Sequence, residues 1–361
     1  MKKFLAILLS LLMLLALISG CGNEPEAVES ESKEESKTES EEESKEEEIE
    51  NRADGAQVAI CIGSINHPVH RIVQMCFLNK AEALGMEGIV SGLDEGSTQE
   101  LISKWESAVT NGATGTLVWT GDDVAYSMMR DFKDMGVAVV VPHFAHDYYE
   151  TRNFIDRNIT SSAAEYGKAA ADFVLEKLEE KGITSGSVVV TQSSANVTEN
   201  AANDAFCTEI SANAPQFTIL NTVFEGGEVT EATNKCTAII SANADLVAAF
   251  GTTGGSAQAW NAAITNTGKT NLVVVGVDYT EFNLNTVKEG NISAIVCQPL
   301  KEEAELAAES IYDILSGKTF TDSEDDWFVV LDAPLAYLGG EGASDISVYE
   351  KIVEQVKEYY S

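Results

Sequence analysis

The segment from Val58 to Met86 constrains the fold more than any other part of the sequence. It begins with an apolar run, Val58–Ile62, which Gly63 ends, and a run of this length favours a buried strand. A polar turn follows, and Pro68 suits the first turn of a helix, where its missing N–H is not needed. From residue 69 to residue 84 the apolar residues recur with the period of an amphipathic helix. In open α/β sheets ligands bind beyond the carboxyl ends of the strands, so this turn is expected to face a ligand.

The same alternation of strand and helix continues to the end of the chain. About five strands are predicted before Asn158, including a short one at Phe154–Ile155, and about five after it. Repeated βα units imply parallel sheets that are covered by helices on both faces. The predicted fold class is therefore α/β, with two similar doubly wound lobes of flavodoxin-like kind. A cleft between the strand ends of two such lobes is a common place for a small ligand.

The N-terminus has the pattern of an export signal. Lys2 and Lys3 precede an apolar run over residues 4–18, which is too short for a comfortable membrane span. Residues 17–21 resemble the lipobox of bacterial lipoproteins, which implies cleavage before Cys21 and acylation of its thiol. An ordinary cleaved signal and an uncleaved anchor are the alternatives. Residues 1–20 are thus a predicted signal peptide, and residues 21–54, rich in Glu, Ser and Lys, a disordered acidic tether.

The charge of the chain excludes some partners. The 361 residues carry a net charge of −35, so nucleic-acid phosphates and anionic lipid surfaces would repel them. Attachment to a membrane must then be covalent or inserted. The five cysteines after Cys21 match no zinc motif, and their odd number leaves at least one free thiol. A disulfide between Cys207 and Cys236 stays open.

The sequence contains none of the common catalytic signatures. There is no Gly-x-Ser-x-Gly, no phosphate-binding loop and no His-Glu-x-x-His. The chain is therefore predicted not to be an enzyme and to need no cofactor.

All four histidines occur as two pairs, His67-x-x-His70 and His143-x-x-His146, and each pair follows a predicted strand. Imidazole is a good hydrogen-bond partner for hydroxyl groups and a good metal ligand. Three interpretations are open: contact with an organic ligand, a solvent-facing or locally bonded role, and a joint transition-metal site. Trp119 ends a strand, and it is assigned equally to the pocket and to the core.

Six motifs in register give the chain a family resemblance. They are Cys61-Ile-Gly-Ser-Ile-Asn-His-Pro68, Lys80-Ala-Glu-Ala-Leu-Gly85, Asn111-Gly-Ala-Thr-Gly-Thr-Leu-Val118, Ala248-Ala-Phe-Gly251, Val274-Val-Gly-Val-Asp278 and Ala294-Ile-Val-Cys-Gln-Pro299. From about residue 58 to residue 315 the sequence resembles type I periplasmic sugar-binding proteins of the ribose-binding group. The resemblance implies an extracytoplasmic receptor of an ABC importer, whose two lobes close on one ligand by a hinge motion.

The resemblance also assigns residues to the ligand site. They follow the carboxyl ends of strands or lie at the hinge: Asn66, His67, His70, Thr120, Asp122, His143, Phe144, Asn200, Thr253, Asp278 and Gln298. Asp278 is the main candidate for accepting a sugar hydroxyl, and the alternative role for its side chain is the N-cap of the following helix. Three family features are missing: an Arg at the position of Ala202, an Asp-Arg pair at His143-Phe144, and an aromatic residue near Gly226-Gly227. A ribose-type ligand is therefore less favoured than a different or larger sugar.

The combined prediction is a monomeric, lipid-anchored substrate-binding protein on the extracytoplasmic face of the bacterial cell membrane. It binds a sugar and delivers it to ABC permease subunits, without nucleic acid. The first lobe comprises residues 55–158 with 299–327, and the second comprises 159–298 with 328–361, joined by three hinge segments. Two alternatives remain: a receptor that reports its ligand to a sensor kinase, and a binder of a nucleoside or of a metal held by the two histidine pairs.

Overall fold

The computed structural model of the protein describes residues 52–361. The predicted signal peptide, the lipidation of Cys21 and the tether up to residue 51 lie outside the described residues. The tether was expected to extend to residue 54, but its last residues belong to the fold. Ala53 is fully buried, and the Arg52 backbone N–H donates to the Leu315 carbonyl at 3.1 Å. No helix among residues 52–361 has both the length and the apolar content needed to cross a bilayer.

The described residues form thirteen strands and twelve α-helices. The strands are β1 Gln57–Cys61, β2 Glu87–Ser91, β3 Gly115–Val118, β4 Ala138–Pro142, β5 Arg157–Ser161, β6 Gly186–Gln192, β7 Phe217–Ile219, β8 Val223–Phe224, β9 Leu246–Gly251, β10 Val273–Val277, β11 Ala294–Val296, β12 Phe328–Leu331 and β13 Leu335–Ala336. The helices are α1 Pro68–Ala83, α2 Thr98–Thr110, α3 Tyr126–Asp134, α4 Tyr148–Thr151, α5 Ala163–Glu180, α6 Val197–Asn213, α7 Val229–Ala242, α8 Gly254–Thr267, α9 Glu281–Lys288, α10 Leu300–Leu315, α11 Glu324–Trp327 and α12 Ile346–Tyr359.

The strands form two sheets, which confirms the predicted fold class. The first sheet has the order β12-β5-β4-β3-β1-β2, and every pair in it is parallel. The second has the order β13-β11-β10-β9-β6-β7, with β8 also paired to β6 and only β13 antiparallel. The central strands β4 and β10 are buried along their whole length, as expected where helices cover both faces of a parallel sheet. This burial explains why both strands read as continuous apolar runs.

Helix boundaries follow local capping chemistry. Ser97 and Glu100 form a reciprocal capping box at the start of α2, and the Ser162 side chain accepts from the Glu165 backbone N–H at the start of α5. Pro68 occupies the first position of α1, as its fixed φ favours. These features fix where α1, α2 and α5 begin after the strands that precede them.

The chain passes between the two sheets at places that differ from the predicted lobe boundaries. The strand expected at Phe154–Ile155 lies later, at β5, so the boundary at Asn158 falls inside a strand of the first sheet. Similarly, β12 pairs with β5 in the first sheet, whereas residues from 328 onward were assigned to the second lobe. The crossings therefore follow Ser161 and Leu331, and the third lies between β11 and α10. An edge strand is recruited through backbone hydrogen bonds, and its side chains do not reveal which sheet it joins.

The C-terminal helix α12 packs on both lobes, against α1 and against α9. Lys357 pairs with Glu281 at 2.5 Å, and Lys288 pairs with Glu350 at 2.8 Å, so two ion pairs attach α12 to α9. All five cysteines among residues 52–361 are free thiols, so the disulfide left open between Cys207 and Cys236 is not formed.

Candidate functional site

A cavity of about 400 Å³ lies where the carboxyl ends of strands from the two sheets meet. His67 and Pro68, at the start of α1, line it from the first lobe. Four second-lobe strands each contribute a residue from the loop that follows them: Ser193 after β6, Glu225 after β8, Thr253 after β9 and Asp278 after β10. Parallel strands bring their ends to one edge of each sheet, so residues far apart in sequence converge here. The turn after β1, expected from the sequence to face a ligand, does border this cavity.

Asp278 is held in an unusual conformation at the cavity wall. Its φ is +70°, in the left-handed region that L-residues with a Cβ rarely adopt. Its Oδ1 atom is buried and has no hydrogen-bond partner. A Cβ on Gly254 would lie 2.6 Å from its Oδ2 atom, so only glycine lets this carboxylate approach the first turn of α8. Burial raises the pKa of Asp278, although His143, His67 and the Gly254 backbone N–H favour its ionised form.

The alternative role of Asp278 as the N-cap of the following helix is wrong. Thr280 caps α9 instead, since its side chain accepts from the Asn283 backbone N–H at 3.3 Å. The Asp278 carboxylate instead lies beside Gly254, the first residue of a different helix, α8. Thr253, the N-cap residue of α8, makes no side-chain capping bond and lies 3.1 Å from the Ser256 hydroxyl oxygen. Both predicted residues therefore line the cavity at the N-terminus of one helix.

Glu225, which was not predicted, is a second buried carboxylate in this wall. It is 1% exposed, and it accepts hydrogen bonds from the Ser256 hydroxyl and, at 3.8 Å, from the Cys236 thiol. Burial raises its pKa, and nearby Glu199 raises it further. Glu199 accepts from the Ser193 backbone N–H and from the Thr252 hydroxyl, both at 2.7 Å. These bonds hold the turn after β6, so Glu199 supports the wall while Glu225 borders the cavity.

An aromatic and imidazole cluster closes the first-lobe side of the cleft. The rings of Trp119 and His143 stack with their centroids 4.5 Å apart, and Phe144 meets Trp119 edge-on at 6.0 Å. His70 meets the other side of Trp119 at 6.0 Å and lies 5.1 Å from His67. Trp119 is 7% exposed, so it forms the base of the cluster and does not line the cavity.

His70 is neutral at ordinary pH because its ring is buried, and burial outweighs its hydrogen bonds to backbone carbonyls, which favour the protonated form. Its Nδ1–H donates to the Gly63 carbonyl at 2.6 Å, which leaves Nε2 as the acceptor. Burial lowers its pKa to about 4, and the neighbouring His67 lowers it too.

His143 forms an ion pair that the sequence analysis missed. Its Nδ1–H donates to Glu303 Oε2 at 3.1 Å, and the Glu303 side chain has no exposed surface. Burial lowers the pKa of His143, but Glu303 and then Asp278 outweigh burial, so the net shift is upward. Burial raises the pKa of Glu303, and its Oε1 atom has no partner. A signal was present, since residue 303 falls on the apolar stripe of α10 with Leu300, Ala304 and Ala307.

The two histidine pairs do not converge. His146 lies 2.9 Å from the Tyr126 hydroxyl, and its backbone N–H donates to the Asn158 side chain, away from the cleft. In the part of the chain that the structure describes, no group of three or more His, Cys, Asp or Glu side chains is placed to hold a metal ion. The metal interpretation therefore has no geometric support.

Several predicted site residues have local partners and do not line this cavity. Asn66 accepts from Arg71 at 2.7 Å and lines a neighbouring cavity. The Thr120 hydroxyl accepts from the backbone N–H of Asp122, which is exposed and caps a single turn through Val124.

In the second lobe, Asn200 accepts from Gln192 at 3.0 Å, and Gln298 is buried at the crossing before α10. Neither residue lines the two cavities of the cleft. Ala202 packs against Gly167, where an added Cβ would lie 2.3 Å from the Ala202 carbonyl oxygen. The position at which an Arg was expected thus belongs to the α5–α6 contact and does not shape the pocket.

Comparison with known proteins gives a consistent result. A model of the periplasmic binding protein domain matches residues 58–319. An arabinose-binding protein from Geobacillus stearothermophilus superposes with a TM-score of 0.70 at 14% identity, covering 85% of this chain and 100% of that one. A carbohydrate transporter solute-binding protein from Agrobacterium radiobacter, in complex with D-arabinose, has a TM-score of 0.70 at 18% identity, covering 82% and 98%. An ABC transporter solute-binding protein from Agrobacterium vitis, bound with α-D-tagatopyranose, has a TM-score of 0.68 at 18% identity, covering 78% and 94%. A search of curated protein sequences gave no match.

Proposed function

This chain belongs to the periplasmic binding protein family, and we propose that it is the sugar-binding component of an ABC importer, anchored by lipid at Cys21 on the extracytoplasmic face of the membrane. The observation that carries the proposal is the cavity between the strand ends of both lobes, with the carboxyl group of Asp278 in its lining. The similar structures include proteins described with D-arabinose and α-D-tagatopyranose, which supports a sugar as the ligand class.

The chemistry of the cavity suits hydroxyl donors. Asp278 and Glu225 present carboxylate oxygens, and the lining contains no Arg or Lys side chain. A sugar hydroxyl that donates to the Asp278 carboxylate would form a charge-assisted hydrogen bond. His67 adds an imidazole from the opposite lobe. A ligand that bonds to both lobes favours their approach, and a permease can recognise that closed arrangement.

Binding is the whole proposed activity, with no chemical step and no cofactor. His143 does not line the cavity. It donates to Glu303 and stacks on Trp119. The remaining site residues, His67, Thr253 and Asp278 in particular, are proposed as ligand contacts. Two acyl chains on Cys21 would give stable membrane anchoring, since a single chain is marginal.

A thermal-shift screen tests the ligand class. The panel contains pentoses, hexoses, inositols and nucleosides, each with and without EDTA, and Zn²⁺ alone. A ligand at about one hundred times its dissociation constant stabilises the protein by about 2.7 kcal/mol, which a melting curve resolves. We expect a shift with a sugar that EDTA leaves unchanged. A shift with Zn²⁺ while every sugar is silent would refute the proposal.

Membrane fractionation tests the anchor. The wild-type protein should sediment with membranes and the Cys21→Ala protein should not. Equal distribution of the two proteins would contradict acylation at Cys21.

A further inference from the structure

A second cavity of about 490 Å³ adjoins the first. Pro68, Gln258 and Thr280 line both cavities, so the two adjoin along these residues in the cleft. We call the 400 Å³ part, bordered by Asp278, the deep chamber, and the 490 Å³ part the outer chamber. Pockets for small ligands span roughly 300–1,000 Å³. Each chamber lies in the lower half of that range, and the two chambers together come to its upper part.

The outer chamber has walls from three elements. Helix α1 contributes Ile72, the start of α9 contributes Phe282, and α12 contributes Val353, Val356 and Tyr360. Phe282 is 48% exposed and Tyr360 is 37% exposed, so both rings have surface available for contact with a ligand in this chamber.

The ring of Tyr360 is fixed in place by the first lobe. The Arg71 guanidinium lies 4.8 Å from its centroid, and its hydroxyl donates to Gln74 Oε1 at 3.3 Å. The Lys357–Glu281 ion pair fixes the same end of α12 to the second lobe. The outer wall is therefore positioned before any ligand arrives, which lowers the ordering cost of binding.

The two chambers differ in chemistry. The deep chamber presents the carboxylates of Asp278 and Glu225, which accept from hydroxyl groups. The outer chamber presents apolar side chains and two aromatic rings. Its lining also contains polar and charged side chains: Asn66, Arg71, Gln258, Thr280, Glu281 and Lys357. A sugar ring has an apolar C–H face and a hydroxyl edge, and aromatic side chains pack against that apolar face.

We propose that the cleft binds a disaccharide, with one sugar ring in the deep chamber and the second, glycosidically linked ring in the outer chamber against Phe282 and Tyr360. This inference rests on the proposed function and specifies its substrate class. The C-terminal helix, which lies beyond the matched domain at residues 58–319, then acts as a specificity element for the length of the ligand.

The test uses isothermal titration of full-length protein in detergent with matched pairs of ligands: each monosaccharide of a panel and the disaccharides built from it. We expect one disaccharide to bind with 1:1 stoichiometry and at least about tenfold more tightly than its own monosaccharide, from the added apolar contact. Phe282→Ala and Tyr360→Ala should each remove most of that advantage, and should change monosaccharide affinity less than about twofold. Tyr149→Ala is the control, since Tyr149 is 72% exposed and lines neither chamber.

Each contrary result has a distinct meaning. If a monosaccharide binds as tightly as every disaccharide, or binds with two molecules per chain, the proposed function survives and the disaccharide inference is overturned. Equal losses of affinity for the monosaccharide and the disaccharide in Phe282→Ala would also overturn it. If no carbohydrate binds at all, the proposed function fails and this inference fails with it.

Discussion

The buried pair of His143 and Glu303 permits a quantitative test of the electrostatics behind the cleft. His143→Phe keeps a ring against Trp119 but removes the imidazole hydrogen bond and its charge. Glu303, with no exposed side-chain surface, is then left without a cationic partner. Removing one partner of a buried pair costs about 3–5 kcal/mol. We expect the free energy of unfolding to fall by about that amount at pH 7, measured by urea unfolding followed by circular dichroism.

The double variant His143→Phe/Glu303→Gln separates charge burial from lost packing. The amide carries no charge, so the double variant should be more stable than His143→Phe alone by about 2 kcal/mol. His143 has φ +75°, and any cost of placing Phe there is common to both variants and cancels between them. A double variant that is equally or less stable than the single one would refute the claim that Glu303 is an uncompensated buried charge.

The same pair of variants predicts a pH dependence of definite sign. Burial raises the pKa of Glu303 above its ordinary value, and the nearby His143 partly opposes this rise. Without His143 the folded protein therefore binds a proton at Glu303 that the unfolded chain releases above its ordinary carboxyl pKa. The stability of His143→Phe should then fall as the pH rises from about 4.5 through the raised folded pKa. The double variant should lack this fall, and parallel pH profiles for the two would contradict the argument.

The remaining predictions concern ligand binding and are measured by isothermal titration. Asp278→Asn should weaken binding at least about tenfold because it removes a charged acceptor; an affinity near wild type would exclude a direct contact. Gly254→Ala should weaken binding far more than Gly255→Ala, since a Cβ at Gly254 would lie 2.6 Å from Asp278 Oδ2 and one at Gly255 would meet nothing closer than 3.8 Å. His70→Asn should leave the pH profile of affinity between about pH 5 and 8 unchanged, because the pKa of His70 is lowered to about 4; an altered profile would show that His70 titrates in that range.

Local signals were sufficient to predict the elements around the cleft. The apolar run before Gly63 and the proline at residue 68 predicted β1 and the start of α1, and the structure has both there. The short run that ends at Val277 likewise predicted β10, which places Asp278 at a strand end and at the cavity wall. These predictions succeeded because strand burial and helix initiation depend on neighbouring residues alone.

Pairing between distant segments was not predictable in the same way. Whether Phe328–Leu331 joins the first or the second sheet depends on backbone bonds to β5, which is about 170 residues away in sequence. The two-residue strand β13 is too short to show an alternating pattern. The same limit applies to Glu225, since a glutamate in a loop reads as exposed until its buried partners are known.

The unpartnered oxygen atoms explain how binding can be coupled to the approach of the lobes. Asp278 Oδ1, in the second lobe, is buried without a hydrogen bond, and so is Glu303 Oε1 in the first. Each buried and unsatisfied acceptor costs about 1–3 kcal/mol. In the proposed hinge motion, an open arrangement would admit water to Asp278 Oδ1, and closure without a ligand would carry this cost. A ligand hydroxyl that donates to the Asp278 carboxylate would offset it and would favour closure by roughly 5- to 150-fold, so the proposed ligand contact would also make the empty, closed arrangement unfavourable.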